Sequence, residues 1–269
     1  MFRKQMNKFF NILLNQWRYF LTAVMFFTRI PVHFAHFNQQ ELNQATRFFP
    51  LVGILVGSAG AVVFYLCHNI LPLSIAVLIS MAATIMLTGA FHEDGLADSI
   101  DGLGGGWTRE QALTIMVDSR IGSYGAIGLV LVLLTKHQSL VEVSAHFIPM
   151  ALIAGHALSR LCAVFVMYNQ NYIKADGKAK PLATKIKPYE LLIASFSGLM
   201  PLYFIGLNNL FALFPVAITW IWFSKKIKSR LGGYTGDCLG AMQQLTEVAF
   251  YIGLLISHLL LLNLAFFNL

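Results

Sequence analysis

The sequence predicts an all-α, polytopic membrane protein with about seven transmembrane helices behind an N-terminal interfacial helix. Three observations carry that reading. Of the 269 residues, 57% are hydrophobic and only 12% charged, about half the charge of an ordinary soluble domain. Apolar runs of spanning length recur along the chain, and the mean hydropathy is +0.66. The basic residues fall almost entirely between alternate runs. Together these exclude a disordered chain, a nucleic-acid-binding domain and an ordinary cytosolic globule. The net charge of +7 then reads as topological rather than as a polyanion-binding signature.

A spanning helix needs roughly 20 mostly apolar residues, because the hydrocarbon core is about 30 Å thick and each residue rises 1.5 Å. Residues 51–71, 73–91, 122–140, 147–168, 190–207, 209–224 and 247–267 meet that requirement. The stretch 9–30 interleaves Phe9, Phe10, Trp17, Tyr19, Phe20, Phe26 and Phe27 with Arg18 and closes on Arg29. Aromatics alternating with arginine suit a helix lying in the interface better than an eighth span, since a mid-membrane arginine is costly. The fifth and sixth segments meet at Asn208 and Asn209 and read as a tight hairpin. No repeat, low-complexity tract or soluble domain is visible, so residues 1–269 form one integral-membrane domain with 1–48 as its N-terminal arm. Cys67, Cys162 and Cys238 are odd in number and lack CxxC spacing, which argues against a disulfide framework or a zinc site. No small-residue cleavage site follows the first apolar run, so no cleaved leader is expected.

With the N-terminus cytoplasmic, the positive-inside rule is met by all basic residues but two. Arg3, Lys4, Lys8, Arg18, Arg29 and Arg47 lie in the arm, and Arg109 and Arg120 follow the second span. Lys174, Lys178, Lys180, Lys185 and Lys187 follow the fourth; Lys225, Lys226, Lys228 and Arg230 follow the sixth. Lys136 falls near the outer face and Arg160 inside a span. All three long polar loops are thereby expected on one cytoplasmic face, where they can build one site.

The acidic residues concentrate between Glu93 and Asp118. Asp94, Asp98 and Asp101 stand at i, i+4 and i+7 and share one face if the run is helical. Three such carboxylates repel unless a cation lies between them, and oxygen ligands without a thiolate favour Mg²⁺ or Mn²⁺ over zinc. A solvated acidic face and a cation-transport site are the competing readings. The cluster is expected to continue an apolar helix, where carboxylates are costly unless functional. Next comes Leu103-Gly104-Gly105-Gly106-Trp107, flexible enough to bring backbone N–H groups to a phosphate, although no P-loop lysine follows. Asp118 could add a metal ligand or a base, and Arg120 could clamp a phosphate with its fork; a plain surface ion pair is the alternative. Ser159 and Arg160 lie inside an apolar run, where a lone arginine faces either an anionic ligand or a buried carboxylate such as Glu247. Leu231 to Gly240, with its glycines and Asp237, reads as a phosphate or nucleotide loop. Carboxylates, arginines and glycine-rich loops at one mouth of a bundle are the tools of phosphoryl transfer.

These residues resemble the cobalamin synthase family, the adenosylcobinamide-GDP ribazoletransferases. The pattern H-x-D-G-x-A-D-x-x-D-G is met by His92, Asp94, Gly95, Ala97, Asp98, Asp101 and Gly102. D-S-R-x-G is met by Asp118, Ser119, Arg120 and Gly122, and S-R by Ser159 and Arg160. G-G-x-T-G-D-x-L-G-A is met by Gly232, Gly233, Thr235, Gly236, Asp237, Leu239, Gly240 and Ala241. Thr28-Arg29-Ile30-Pro31-Val32 and Phe49-Pro50-Leu51-Val52-Gly53 also fit. The matches keep family order from about residue 28 to 247.

The resemblance implies a Mg²⁺-dependent phosphotransferase of the bacterial inner membrane. It would join adenosylcobinamide-GDP to α-ribazole or α-ribazole 5′-phosphate and release GMP. It implies Asp94, Asp98, Asp101 and Asp118 as metal ligands, with Asp118 also a candidate base. Arg120 and Arg160 become phosphate clamps. His92, Gly102, Ser159, Gly236 and Asp237 join Arg160 around the substrates. Association with other pathway enzymes, or with further copies of the chain, stays open; nucleic acid is not an expected partner. A lipid-head-group phosphotransferase of the CDP-alcohol type is the alternative enzyme, although Ala97-Asp98 departs from its acidic motif. A transporter is the alternative outside enzymes.

Overall fold

The computed structural model describes residues 2–32, 39–173 and 186–267. The chain belonging to these residues is helical: α1 (Phe2–Phe27), α2 (Gln39–Ala45), α3 (Phe49–His68), α4 (Leu73–Thr88), α5 (Phe91–Gly105), α6 (Arg109–Val117), α7 (Ser123–Val141), α8 (Ile148–Asn169), α9 (Pro188–Leu199), α10 (Leu213–Leu231) and α11 (Gly236–Phe267). Within the described residues, six stretches are long and apolar enough to cross a membrane. They are Gln40–His68, Ser123–Val141, Ile148–Asn169, Pro188–Ile205, Asn209–Leu231 and Gly236–Leu260; α4 and α5 make a seventh only as a bent pair. The all-α polytopic class and its span number therefore hold, and α1 is not among the spans. Of the basic loop after α8, Lys174 to Lys185 lie outside the described residues.

The helices shuttle back and forth, so α3, α7, α9 and α11 begin, and α4, α8 and α10 end, at one mouth of the bundle. At its centre stand α8 and α11, whose spanning windows are 83% and 78% buried, against 22% to 33% for α7, α9 and α10. α3 packs on α8 through Gly53 and Gly57, one turn apart, the small-residue stripe that lets membrane helices touch. A Cβ on Gly57 would lie 2.7 Å from the Ile153 Cα, and one on Gly53 would overlap the His156 carbonyl. Gly57→Leu is accordingly expected to push α3 off α8 and abolish recovery of monodisperse protein in detergent. Gly105→Ala, whose Cβ would make only a 3.5 Å contact with Ile115, is expected to behave like the parent in the same chromatography.

Three expectations need correction. The segment 73–91 is not one straight helix: α4 stops at Thr88 and the chain turns by 89° into α5. Gly89 (φ 66°) and Ala90 (φ 57°) are both left-handed there, natural for glycine as a helix C-cap and strained for alanine. Arg29 secures this break. Its N–H donates to the Leu87 carbonyl at 2.8 Å, and its guanidinium packs where a Gly89 side chain would be. The acidic run therefore lies on a helix nearly perpendicular to α4 and does not continue it. Secondly, α9 passes at Met200 into a 3₁₀ turn beside Pro201, and the left-handed reversal falls at Gly206 (φ 82°). Thirdly, α10 runs through the basic residues to Leu231, and α11 begins at Gly236 rather than 247.

Candidate active site

At the bundle mouth, α5 crosses the start of α11 through glycines drawn from two of the sequence motifs. A Cβ on Gly95 would lie 2.9 Å from the Asp237 carbonyl oxygen, and one on Gly240 would lie 3.1 Å from that of His92. Glycine thus brings the Asp237 backbone against the acidic helix. Asp94 is exposed; Asp98 and Asp237 are half-buried.

Asp101 does something else. Its Oδ2 accepts the Gly122 N–H at 2.7 Å and its Oδ1 the Gly125 N–H at 2.8 Å. Side chains at Gly122 or Gly125 would overlap this carboxylate. Asp101 is therefore the anionic cap of α7, supplied from another helix and favoured by the α7 dipole. Hydrogen bonds to charged groups contribute about 1.5–3 kcal/mol each. Asp101→Asn is expected to lower the unfolding midpoint in detergent measurably, with a smaller loss of turnover than Asp94→Asn. Equal losses of turnover would return Asp101 to the metal.

Asp118 and Arg120 pair with each other at the surface: Arg120 Nη2 lies 2.9 Å from Asp118 Oδ2 and Nε 3.1 Å from Oδ1. The Arg120 hydrogen bonds hold the Asp118 carboxyl below its ordinary range. Gly102 receives α6, since a Cβ there would lie 2.8 Å from the Ala112 carbonyl oxygen; its missing side chain serves packing. The loop before α11 spends its backbone on the chain as well. Tyr234 N–H donates to Asn171 at 3.1 Å and Ile173 N–H to Tyr234 at 2.9 Å. Burial raises the Tyr234 phenol well above its ordinary range, which keeps it neutral.

His92, Arg160 and Gly236, far apart in sequence, line one cleft together with Gln243 and the rings of Phe27 and Phe91. The cleft is narrow, with about 30 Å³ of room for water within about 410 Å³ of unfilled space counted with its mouth. Arg160 is 2% exposed and His92 3%. Arg160 Nη1 donates to the His156 carbonyl at 3.0 Å, while Arg160 Nε and His92 Nε2 are buried with no hydrogen-bond partner. Buried polar nitrogens are almost always satisfied, so each of these two retains a hydrogen-bonding position that the protein itself does not use. Ser159 accepts from Gln243 Nε2 at 3.0 Å and holds that amide in place.

Beneath the cleft lies a network that sequence reasoning missed. Lys136 Nζ meets Glu247 Oε1 at 2.6 Å, both fully buried, so Lys136 points into the bundle. Glu247 also accepts from Tyr251 at 2.9 Å and from Gln243 at 2.6 Å, and faces His156 Nδ1 at 3.4 Å. Glu247 is thus the partner of Lys136 rather than of Arg160. Gln244 extends the chain to Glu93 at 2.8 Å. The available signal was spacing: Gln243, Glu247 and Tyr251 recur every four residues on one face of α11, as do His156 and Arg160 on α8.

Among the described residues, no three His, Cys, Asp or Glu side chains come together as a metal site. Asp94 and Asp98 remain as a pair of hard oxygen donors one turn apart. Mg²⁺ is commonly held by one or two carboxylates plus substrate phosphates and waters, so this pair fits such an ion with a phosphorylated substrate.

Fold and site together define a multi-pass helical membrane protein with a cationic, aromatic cleft beside an acidic helix. The model of the cobalamin-5-phosphate synthase family matches residues 19–255. The chain is 46% identical over 250 residues to the adenosylcobinamide-GDP ribazoletransferase of Shewanella frigidimarina, covering 90% of this chain and 95% of that one. It is 44% identical over 251 residues to the protein of that name from Ralstonia pickettii, covering 91% and 98%. No solved structure matches. The chain belongs to the cobalamin-5-phosphate synthase family and is a transferase of cobalamin biosynthesis.

Proposed function

We propose that this protein joins adenosylcobinamide-GDP to α-ribazole, or to α-ribazole 5′-phosphate, and releases GMP. The observation that carries the reading is the gathering of His92, Arg160 and Gly236, from three separate sequence motifs, on one cleft, in a chain whose relatives bear that activity in their names. A ribose hydroxyl of the acceptor attacks the phosphorus attached to cobinamide. One P–O bond forms, the diphosphate bridge breaks, and its electron pair leaves on GMP. The hydroxyl proton leaves to water at the bundle mouth.

Arg160 binds the diphosphate and orients it for in-line attack, and the α11 N-terminus at Gly236 adds oriented backbone N–H groups. Asp94 and Asp98 would hold Mg²⁺, which supplies charge neutralisation at the diphosphate; Asp237 stands across from them on α11. Ser159 positions Gln243, and Asp101 positions α7. Asp118 and Arg120 stay paired at the rim and receive no step. The bundle mouth faces the cytoplasm of the bacterial inner membrane, as the basic residues there favour.

The test is GMP release from adenosylcobinamide-GDP by purified protein in lipid vesicles, with and without α-ribazole and Mg²⁺. Release that needs both additions supports the reaction. Release without α-ribazole would make the activity a hydrolase, and folded protein that releases nothing would sink the proposal.

A further inference from the structure

The cleft has more aromatic surface than phosphate binding needs. Phe26 and Phe27 come from the end of α1, Phe49 from the start of α3 and Phe91 from the start of α5. Phe27 and Phe49 meet edge to face at 4.4 Å, and Phe27 and Phe91 at 5.7 Å. Phe27 stacks on the His92 imidazole, with centroids 5.5 Å apart and planes within 13°. That stacking fixes the plane of the ring, whose Nε2 has no partner within the protein. Such a wall of π-faces with one hydrogen-bonding atom suits a flat heterocycle.

We infer that this cleft is the seat of the acceptor's base: the benzimidazole of α-ribazole enters among Phe27, Phe49 and Phe91, and its ring nitrogen accepts a hydrogen bond from His92 Nε2–H. The assignment rests on the proposed reaction for the identity of its ligand. Between the two bases in that reaction, the lining decides. Guanine presents several donors and acceptors on its edges and would leave them unpaired against phenylalanine, which is costly. No carboxylate lines the cleft. Benzimidazole is apolar except for one acceptor nitrogen, and the cleft supplies one such group beyond Arg160 and Gln243. Arg160, on the same cleft, then lies where the ribose meets the diphosphate. The small room in the cleft means that the phenylalanine rings part to admit the base. Phe26 and Phe27 stand three and two residues before Arg29, which docks on the α4–α5 break. The N-terminal arm thereby becomes a wall of the active site.

The experiment is steady-state kinetics and equilibrium dialysis in lipid vesicles on Phe27→Leu and His92→Leu, with His92→Gln as the conservative variant. Phe27→Leu keeps a bulky apolar side chain and removes the π-face. The KM for α-ribazole and its Kd measured alone are expected to rise roughly 5- to 150-fold in Phe27→Leu, the range of base–aromatic stacking. The KM for adenosylcobinamide-GDP should change less than about twofold, within the non-additivity of distant sites. The parent should favour the benzimidazole riboside over the isosteric indole riboside, which lacks the acceptor nitrogen. That preference should vanish in His92→Leu and return in part in His92→Gln. A rise confined to the KM for adenosylcobinamide-GDP would give the cleft to guanine and overturn the assignment. So would an unchanged riboside preference in His92→Leu. Parent protein that binds α-ribazole through Phe27 yet releases no GMP would sink the reaction and keep the cleft. Release of GMP with an unchanged Kd in both leucine variants would do the reverse, and parent protein that binds no α-ribazole would overturn both.

Discussion

Asp94→Asn is expected to lower kcat/KM by at least about a hundredfold at a Mg²⁺ concentration that just saturates the parent, the effect of losing several kcal/mol of charge stabilisation. The fold should survive. Asp94 is exposed at the bundle mouth, so the amide replaces a solvated carboxylate and no buried partner loses its bond. Asp98→Asn should behave alike in turnover. Raising Mg²⁺ should recover part of the loss in either variant, because the change weakens a ligand rather than removing the binding place. Retained turnover in both variants would overturn the assignment of the metal to α5. A fall in Asp101→Asn as deep as in these two would show that the α7 cap is also a ligand. The comparison separates two roles that i, i+4, i+7 spacing cannot, since all three carboxylates would share that face on any helix.

The spans were legible wherever the apolar run is long and unbroken. The expected 122–140 and 147–168 differ by a residue or so at each end from α7 and α8, because an apolar run is a local property. Misreadings occurred where partners are distant. The first half of α11 carries Gln243, Gln244, Thr246 and Glu247, all buried. A hydropathy window rejects such a stretch, although each of these side chains is paired within the bundle. The pairing of Lys136 was missed because its carboxylate, Glu247, lies on another helix. The bend at Gly89 and Ala90 depends on Arg29, again non-local.

The site was legible in composition more than in role. His92, Arg160 and Gly236 do meet, as the ordered motifs implied. Within those motifs, several glycines turn out to serve helix contacts: Gly95 and Gly240 face each other, and Gly122 receives Asp101. A motif read as a phosphate loop and one that allows close helix approach look identical in sequence, because both require the missing Cβ. Geometry alone separates them. The phenylalanines of the cleft carried no signal of a site: Phe26 and Phe27 read as interfacial aromatics and Phe49 only as part of a matching run, among 22 in an apolar chain.

Lys136→Met is expected to be among the most destabilising single changes in the chain. Glu247 is 0% exposed and Lys136 1%, so removing the ammonium leaves a carboxylate facing Tyr251, Gln243 and His156 without its strongest partner. Breaking a buried ion pair by removing one member costs about 3–5 kcal/mol. Glu247→Leu should cost as much, since it strands the ammonium together with the Tyr251 hydroxyl and the Gln243 amide. The double variant Lys136→Met/Glu247→Leu should cost clearly less than the two single changes added, because no unpaired charge remains. Unfolding followed in detergent for all four proteins closes the cycle, and strictly additive losses would show that the pair contributes nothing as a pair. Turnover should separate the variants further. Gln243 bonds both Glu247 and Ser159 and lines the cleft with Arg160. Loss of Glu247 therefore loosens the cleft floor, whereas loss of Lys136 leaves the Gln243 bonds in place. At a temperature where all four proteins stay folded, Glu247→Leu should lose more activity than Lys136→Met, which would identify the buried network as support for the catalytic cleft as well as for the bundle.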